Sequence, residues 1–245
     1  MGLAIAFARG ALAVIQSAPL NPLADALLYG IIDLGYVPAH KAGAAAEKMI
    51  AGGVDLIQLR GKQASEEEIE ALGAELIRIT EPAAVPLIIN DHPHLVPSVG
   101  AQGAHVGQDD LAVADARWRA GRALAGEVPL PIIGRSTHSL EQAIAAAEEG
   151  ADYIGFGPLF PTPTKAGRPA IGLEDLRRVH AAIAIPIFCI GGIKRENLDA
   201  VLAAGARRVV IVSGILQAPD VEGYCREVKA RLREIADCSS RTGNG

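Results

Sequence analysis

The chain has 245 residues, 50% of them hydrophobic and 21% charged, a balance that describes a soluble globular protein able to fill one sizeable core. Lys and Arg number 23 against 28 Asp and Glu, a net charge of -5, and aromatic residues make up 4%; both the attraction for phosphates and the stacking rings of a nucleic-acid binder are missing, so nucleic acid is not a partner. Three widely spaced cysteines, Cys189, Cys225 and Cys238, form no CxxC pair, which argues against a disulfide framework or zinc finger and for a reduced, cytoplasmic location.

Residues 1–25 are apolar and Ala-rich, but Arg9 interrupts the run instead of preceding it. We expect an N-terminal arm there, neither a signal peptide nor a membrane span. From residue 26 to 237, β-branched runs alternate with Ala-rich stretches at helical spacing, the pattern of βα units around a parallel sheet. The predicted strands are Leu28–Asp33, Val54–Arg60, Pro86–Asn90, Gly103–Val106, Pro131–Ser136, Tyr153–Gly157, Ile185–Ile190 and Arg208–Ser213. Three intervening helices end in glycine just before a strand, at Gly52-Gly53, Gly150 and Gly205, where a positive φ lets the chain turn directly into the sheet. Residues 238–245 are read as a C-terminal tail.

The opposite ends of the strands collect the polar residues. That segregation, the repeat of eight similar units and the absence of a GxGxxG after the first strand favour an α/β fold of the (β/α)8 TIM barrel type over an open doubly wound sheet. In the second strand Gln58, Arg60 and Lys62 alternate with Ile57 and Leu59, so they share a face, and two cations there suit a phosphate or diphosphate. Asn90-Asp91 closes the third strand and Asp109-Asp110 follows the fourth. Carboxylates at neighbouring strand ends could hold Mg2+ against phosphate oxygens, or simply cap the following helices. His92 and His94 read as surface histidines, because an HxH pair on a helix diverges and no third nitrogen or sulfur ligand lies at suitable sequence spacing. His105, inside an apolar strand, is a candidate substrate contact, with a hydrogen-bonded core residue as the plainer reading.

After the sixth strand the loop Pro158 to Pro169 carries three prolines by Pro163, the hydroxyls of Thr162 and Thr164, and Lys165; it could close over an anion. Gly191-Gly192 and Ser213-Gly214 follow the last two strands and offer backbone N–H groups of the kind that bind phosphate in barrels. Two anion sites facing each other across one mouth suggest group transfer between a diphosphate ester and a monophosphorylated molecule.

The segments Gln58-Leu59-Arg60-Gly61-Lys62, Ile89-Asn90-Asp91, Ala104 to Asp110, Gly134 to His138, Gly157 to Lys165 and Ile190 to Ile193 give the region from Leu28 to Ile215 a specific resemblance to the thiamine phosphate synthases. The resemblance implies a (β/α)8 transferase that joins a hydroxymethylpyrimidine diphosphate to a thiazole or carboxythiazole monophosphate and releases pyrophosphate, with Mg2+ as cofactor. It implies that Arg60, Lys62, Asn90 and Lys165 hold the diphosphate, that Asp91 and Asp110 bind Mg2+, and that Gln58 and Ser136 contact the pyrimidine. Thr162 and Thr164 would line the thiazole site, and Gly192, Val212 and Ser213 would receive its phosphate. His92 departs from the family, which commonly has Arg after the Asn-Asp pair. The competing functions are a related thiazole tautomerase, a Schiff-base aldolase using Lys62 or Lys165, and a non-catalytic phosphate-ligand sensor. The sequence leaves the oligomeric state open, a homo-oligomer included.

Overall fold

The computed structural model describes residues 23–121, 130–162 and 169–242, with side chains to residue 238. Eight parallel strands close into a barrel in sequence order: β1 (Leu28–Asp33), β2 (Leu56–Arg60), β3 (Leu87–Asn90), β4 (Gly103–Val106), β5 (Ile132–Thr137), β6 (Tyr153–Phe156), β7 (Ile187–Cys189) and β8 (Arg208–Ile211). The helices outside it are α1 (Ala42–Ala51), α2 (Glu66–Thr80), α3 (Val96–Val99), α4 (Val113–Gly121), α5 (Leu140–Glu148), α6 (Leu176–Ala182), α7 (Leu198–Ala203), α8 (Ser213–Leu216) and α9 (Val221–Thr242). The glycine turns behave as expected, with φ of +88° at Gly53, +84° at Gly150 and +112° at Gly205. Ser65 starts α2 through a reciprocal capping box with Glu68, which satisfies two backbone donors that a helix start otherwise leaves unpaired.

Strand alternation divides the core into two layers. Outward residues such as Ile32, Ile57, Leu59, Ile89, Ala104 and Ile154 are buried beneath the helices. Inward residues Tyr29, Ile31, Leu56, Ile88, Tyr153, Phe188 and Val210 fill the barrel, with Leu23 and Ala26 in the same cluster. A buried side chain of this size contributes about 1.5–3 kcal/mol, so the interior layer alone fixes the register strongly. The three central rings meet edge to face, Tyr29 to Tyr153 at 5.8 Å between centroids and each to Phe188 at 5.4 and 5.5 Å. Gly134 makes room for one of them, since a Cβ there would lie 2.1 Å from Tyr153 Cζ.

Register then decides which polar residues share a level. Asp33 pairs with Arg60 and Ile31 with Gln58 between β1 and β2, Asn90 pairs with His105 between β3 and β4, and Ser136 pairs with Gly155 between β5 and β6. All of these inward positions lie at or near the C-terminal ends of their strands. Among the described residues no helix is long and apolar enough to cross a membrane.

Candidate active site

Above the aromatic layer the barrel opens into one cavity with two lobes. The first, about 480 Å3, is lined by side chains from β1 to β6, among them Gln58, Arg60, Asn90, His105 and Ser136. The second, about 510 Å3, lies over β6 to β8 and is lined by His138, Thr162, Gly192, Val212 and Ser213 with their neighbours. Gly155, Ile190, Val210 and Val212 line both, so molecules in the two lobes would touch across a shared wall.

The floor of the first lobe is a continuous run of hydrogen bonds. Gln58 Nε2 donates to the Tyr29 hydroxyl at 2.7 Å, and the Tyr29 and Tyr153 hydroxyls lie 2.9 Å apart. His105 then bridges Tyr153 and Ser136, with Nδ1 3.1 Å from the Tyr153 hydroxyl and Nε2 3.0 Å from Ser136 Oγ. The arrangement in which each tyrosine hydroxyl both accepts and donates runs one way, from Gln58 through Tyr29 and Tyr153 to His105 Nδ1, and leaves the Nε2 proton directed at Ser136. Burial pushes both phenols well above their ordinary pKa, more than their hydrogen bonds offset it in Tyr29, so both stay protonated across the physiological range. His105 is therefore a buried hydrogen-bonding residue and a lining residue of the cavity at once.

Arg60 lines this lobe, and it and Lys62, which lies farther out, each stand beside a carboxylate. Arg60 pairs with the buried Asp33, whose other oxygen accepts from the Gly35 amide at 2.9 Å. Lys62, beyond the end of β2 and 52% exposed, pairs with Asp91, itself 18% exposed. Like charges at the second strand therefore do not by themselves demand an anion, because the fold supplies two acidic partners. Asp33 escaped sequence reasoning; its only signal was a carboxylate ending an apolar strand, and register was needed to place it opposite Arg60.

Asp91 adopts a left-handed conformation with φ of +63°, a conformation Asp tolerates better than most residues, and its amide donates to the His105 carbonyl at 2.9 Å. Its side chain caps no helix; the short 3-10 turn Pro93–Leu95 that follows begins from His92 without a side-chain cap. Asp110 accepts from the Gly107 amide at 2.7 Å and so shapes the loop after β4. These two carboxylates follow adjacent strands and offer only oxygen donors, a set that suits a hard divalent cation.

In the second lobe the turns after β6 and β7 bring main chain to the wall beside side chains such as His138 and Thr162. Gly191 and Gly192 have φ of +96° and +65°, and a Cβ would approach Pro158 Cα to 2.4 Å at the first and Phe160 Cβ to 2.7 Å at the second. Only glycine lets the turns after β6 and β7 pack this closely. Asn197 holds the same turn by donating to the Gly192 carbonyl at 2.9 Å. His138 donates from Nδ1 to the Gly157 carbonyl, which fixes its tautomer; sequence reasoning placed it only within a motif. The predicted contacts Thr164 and Lys165 lie outside the described residues.

Comparison with known proteins points the same way. Residues 28–215 match the family described as Thiamine monophosphate synthase. The chain is 44% identical over 191 residues to a thiamine-phosphate synthase of Thermus thermophilus, covering 78% of this chain and 88% of the relative. It is 46% identical over 187 residues to one of Thermobifida fusca, covering 75% and 82%. A solved thiamine phosphate pyrophosphorylase from Pyrococcus furiosus superposes with a TM-score of 0.75 at 31% identity, covering 88% of this chain and 98% of that one.

Proposed function

Because the chain belongs to the thiamine monophosphate synthase family and forms thiamine monophosphate, we propose that it does so with a pyrimidine diphosphate in the first lobe and a thiazole phosphate in the second, by dissociation followed by capture. The observation that carries this reading is the shared wall of Gly155, Ile190, Val210 and Val212, which brings the two ligands together without a protein nucleophile between them.

Gln58 and Ser136 orient the pyrimidine, and the hydrogen-bonded run between them holds both at fixed positions. The diphosphate lies toward Arg60, Asn90 and Lys62. Lys62 exchanges its contact with Asp91 for one with the departing diphosphate, which its exposed position allows. Asp91 and Asp110 would hold Mg2+, which when bound would supply positive charge against the diphosphate. The carbon–oxygen bond breaks, both electrons leave with pyrophosphate, and the pyrimidine cation is stabilised by its amino group. The thiazole nitrogen then supplies the electron pair of the new C–N bond. Thr162 lines the thiazole, while the backbone at Gly192, Val212 and Ser213 receives its phosphate, so the acceptor waits at short range rather than being encountered from solution. The buried free thiols Cys189 and Cys225 support a cytoplasmic setting for this chemistry.

The test mixes both substrates with Mg2+ and measures thiamine monophosphate and pyrophosphate. Equimolar appearance of the two, abolished by chelation and restored by Mg2+, supports the reading. Coupling that persists in a Mg2+-free, chelated reaction, or a covalent pyrimidine adduct on the protein, overturns it.

A further inference from the structure

Beyond that reaction, and independent of it, we propose that Glu66, His92 and His94 form a binding site for a borderline first-row transition metal ion such as Zn2+ or Co2+, separate from the oxygen-only pair Asp91 and Asp110. The sequence led us to expect divergent histidines, and the structure differs for a local reason. His92 precedes the 3-10 turn instead of lying within it, with φ of -116° and ψ of 66°, so helical spacing does not apply to the pair. Its ring comes to 5.8 Å from that of His94, edge to face. Pro93 and Leu95 are buried and anchor the turn on either side of His94.

The third ligand comes from a distant part of the chain. Glu66 is the first residue of α2, where the capping box engages Ser65 and Glu68, leaving the Glu66 carboxylate to reach across to the histidines. His92 Nδ1 lies 3.5 Å from one Glu66 oxygen and His94 Nε2 3.1 Å from the other. The ligand atoms of all three residues lie within 4.8 Å of one another. A tetrahedral ion bound at about 2.0–2.1 Å separates its ligands by about 3.3 Å; each histidine nitrogen lies near that distance from one of the two Glu66 oxygens, and side-chain rotations within the 4.8 Å cluster bring both nitrogens to a single oxygen. Two imidazole nitrogens with one carboxylate select Zn2+, Co2+ or Ni2+ over Mg2+. The partial exposure of all three side chains leaves the remaining coordination position to water.

Such an ion ties the start of α2 to the loop that carries Asp91, the residue immediately before His92. The plainer alternative is a surface ion pair, in which Glu66, whose pKa is held down chiefly by the His94 hydrogen bond, interacts with protonated histidines only.

The full chain, stripped with chelator, is titrated with Co2+ in the presence of a large excess of Mg2+, and binding is read from visible d–d absorption. The expected result is about one equivalent bound, with at least tenfold weaker binding in both Glu66→Gln and His94→Ala and unchanged binding in Asp110→Asn. Thermal melting of each variant verifies folding. No Co2+ bound under these conditions, or binding that survives both Glu66→Gln and His94→Ala, overturns the proposal and leaves the surface ion pair.

Discussion

The two lobes of the cavity use opposite means to present polar groups. The lobe over β1 to β6 is a side-chain device, in which Gln58, Tyr29, Tyr153, His105 and Ser136 are joined by hydrogen bonds, and Arg60 within it and Lys62 beyond it are each matched by a carboxylate. The lobe over β6 to β8 depends on main chain shaped by Gly191 and Gly192. A leaving diphosphate changes its charge distribution during reaction, and ionic side chains with exchangeable partners can respond to that change. In the proposed assignment, a phosphate that serves only as an anchor keeps its charge throughout, and fixed backbone groups would hold it without a cation whose charge must be balanced.

This contrast is broken most severely at Asp91. Asn is also tolerated at positive φ, so Asp91→Asn at φ +63° removes charge while preserving shape. Turnover should fall by about 10²–10³-fold, the scale on which loss of one preorganised electrostatic group acts. Binding of the thiazole phosphate, measured by calorimetry, should stay within about twofold of the wild type because its lobe is untouched. An equal loss of both would show that the lobes are not separable.

The reciprocal change is Gly192→Ala. Its methyl group would meet Phe160 Cβ at 2.7 Å and the residue would sit at φ +65°, a conformation costing non-glycine residues about 1–2 kcal/mol. The expected outcome is a KM for thiazole phosphate raised about tenfold, with the KM for the pyrimidine diphosphate unchanged. Steady-state kinetics with each substrate varied in turn checks it, and a kcat defect without a KM change would contradict the anchoring role.

Much of this architecture was legible because hydrophobic period and glycine placement are local signals. The strand ends found by alternation and turn residues differ from the observed ends by two residues at most, as where β2 begins at Leu56 rather than Val54. Asn90, Ser136, Gly192 and Ser213 could be placed at the mouth because each lies at or just beyond a strand end, and Gln58 because alternation puts it on the same face as Arg60; the barrel fixes what strand ends face. The residues supporting them carry no such mark. Tyr29 and Tyr153 look like ordinary strand aromatics until closure of the barrel brings them together across 124 residues of chain. Asp33 becomes the partner of Arg60 only through the β1–β2 register. The closeness of Glu66 to His92 and His94 carries no mark in the sequence either, because helical spacing does not apply to His92, which lies just outside the turn.

The smallest effect tests those hidden supports. Tyr153→Phe keeps the ring stacked on Tyr29 and Phe188 but removes the hydroxyl that joins Tyr29 to His105, leaving buried partners unsatisfied at a cost of about 1–3 kcal/mol. If the run serves to hold Gln58 and Ser136 on the pyrimidine, the KM for pyrimidine diphosphate should rise about three- to tenfold while the KM for thiazole phosphate does not move. Stability carries an independent sign. A phenol whose folded pKa lies well above its unfolded value of 10.0 keeps its proton in the native state after the unfolded chain has lost it. Its contribution is therefore complete below pH 10 and declines as pH rises above that value. Melting curves of the wild type should show this alkaline loss, and Tyr153→Phe, though less stable at neutral pH, should lose less between pH 9 and 11; equal slopes would mean that Tyr153 does not stay protonated in the folded barrel.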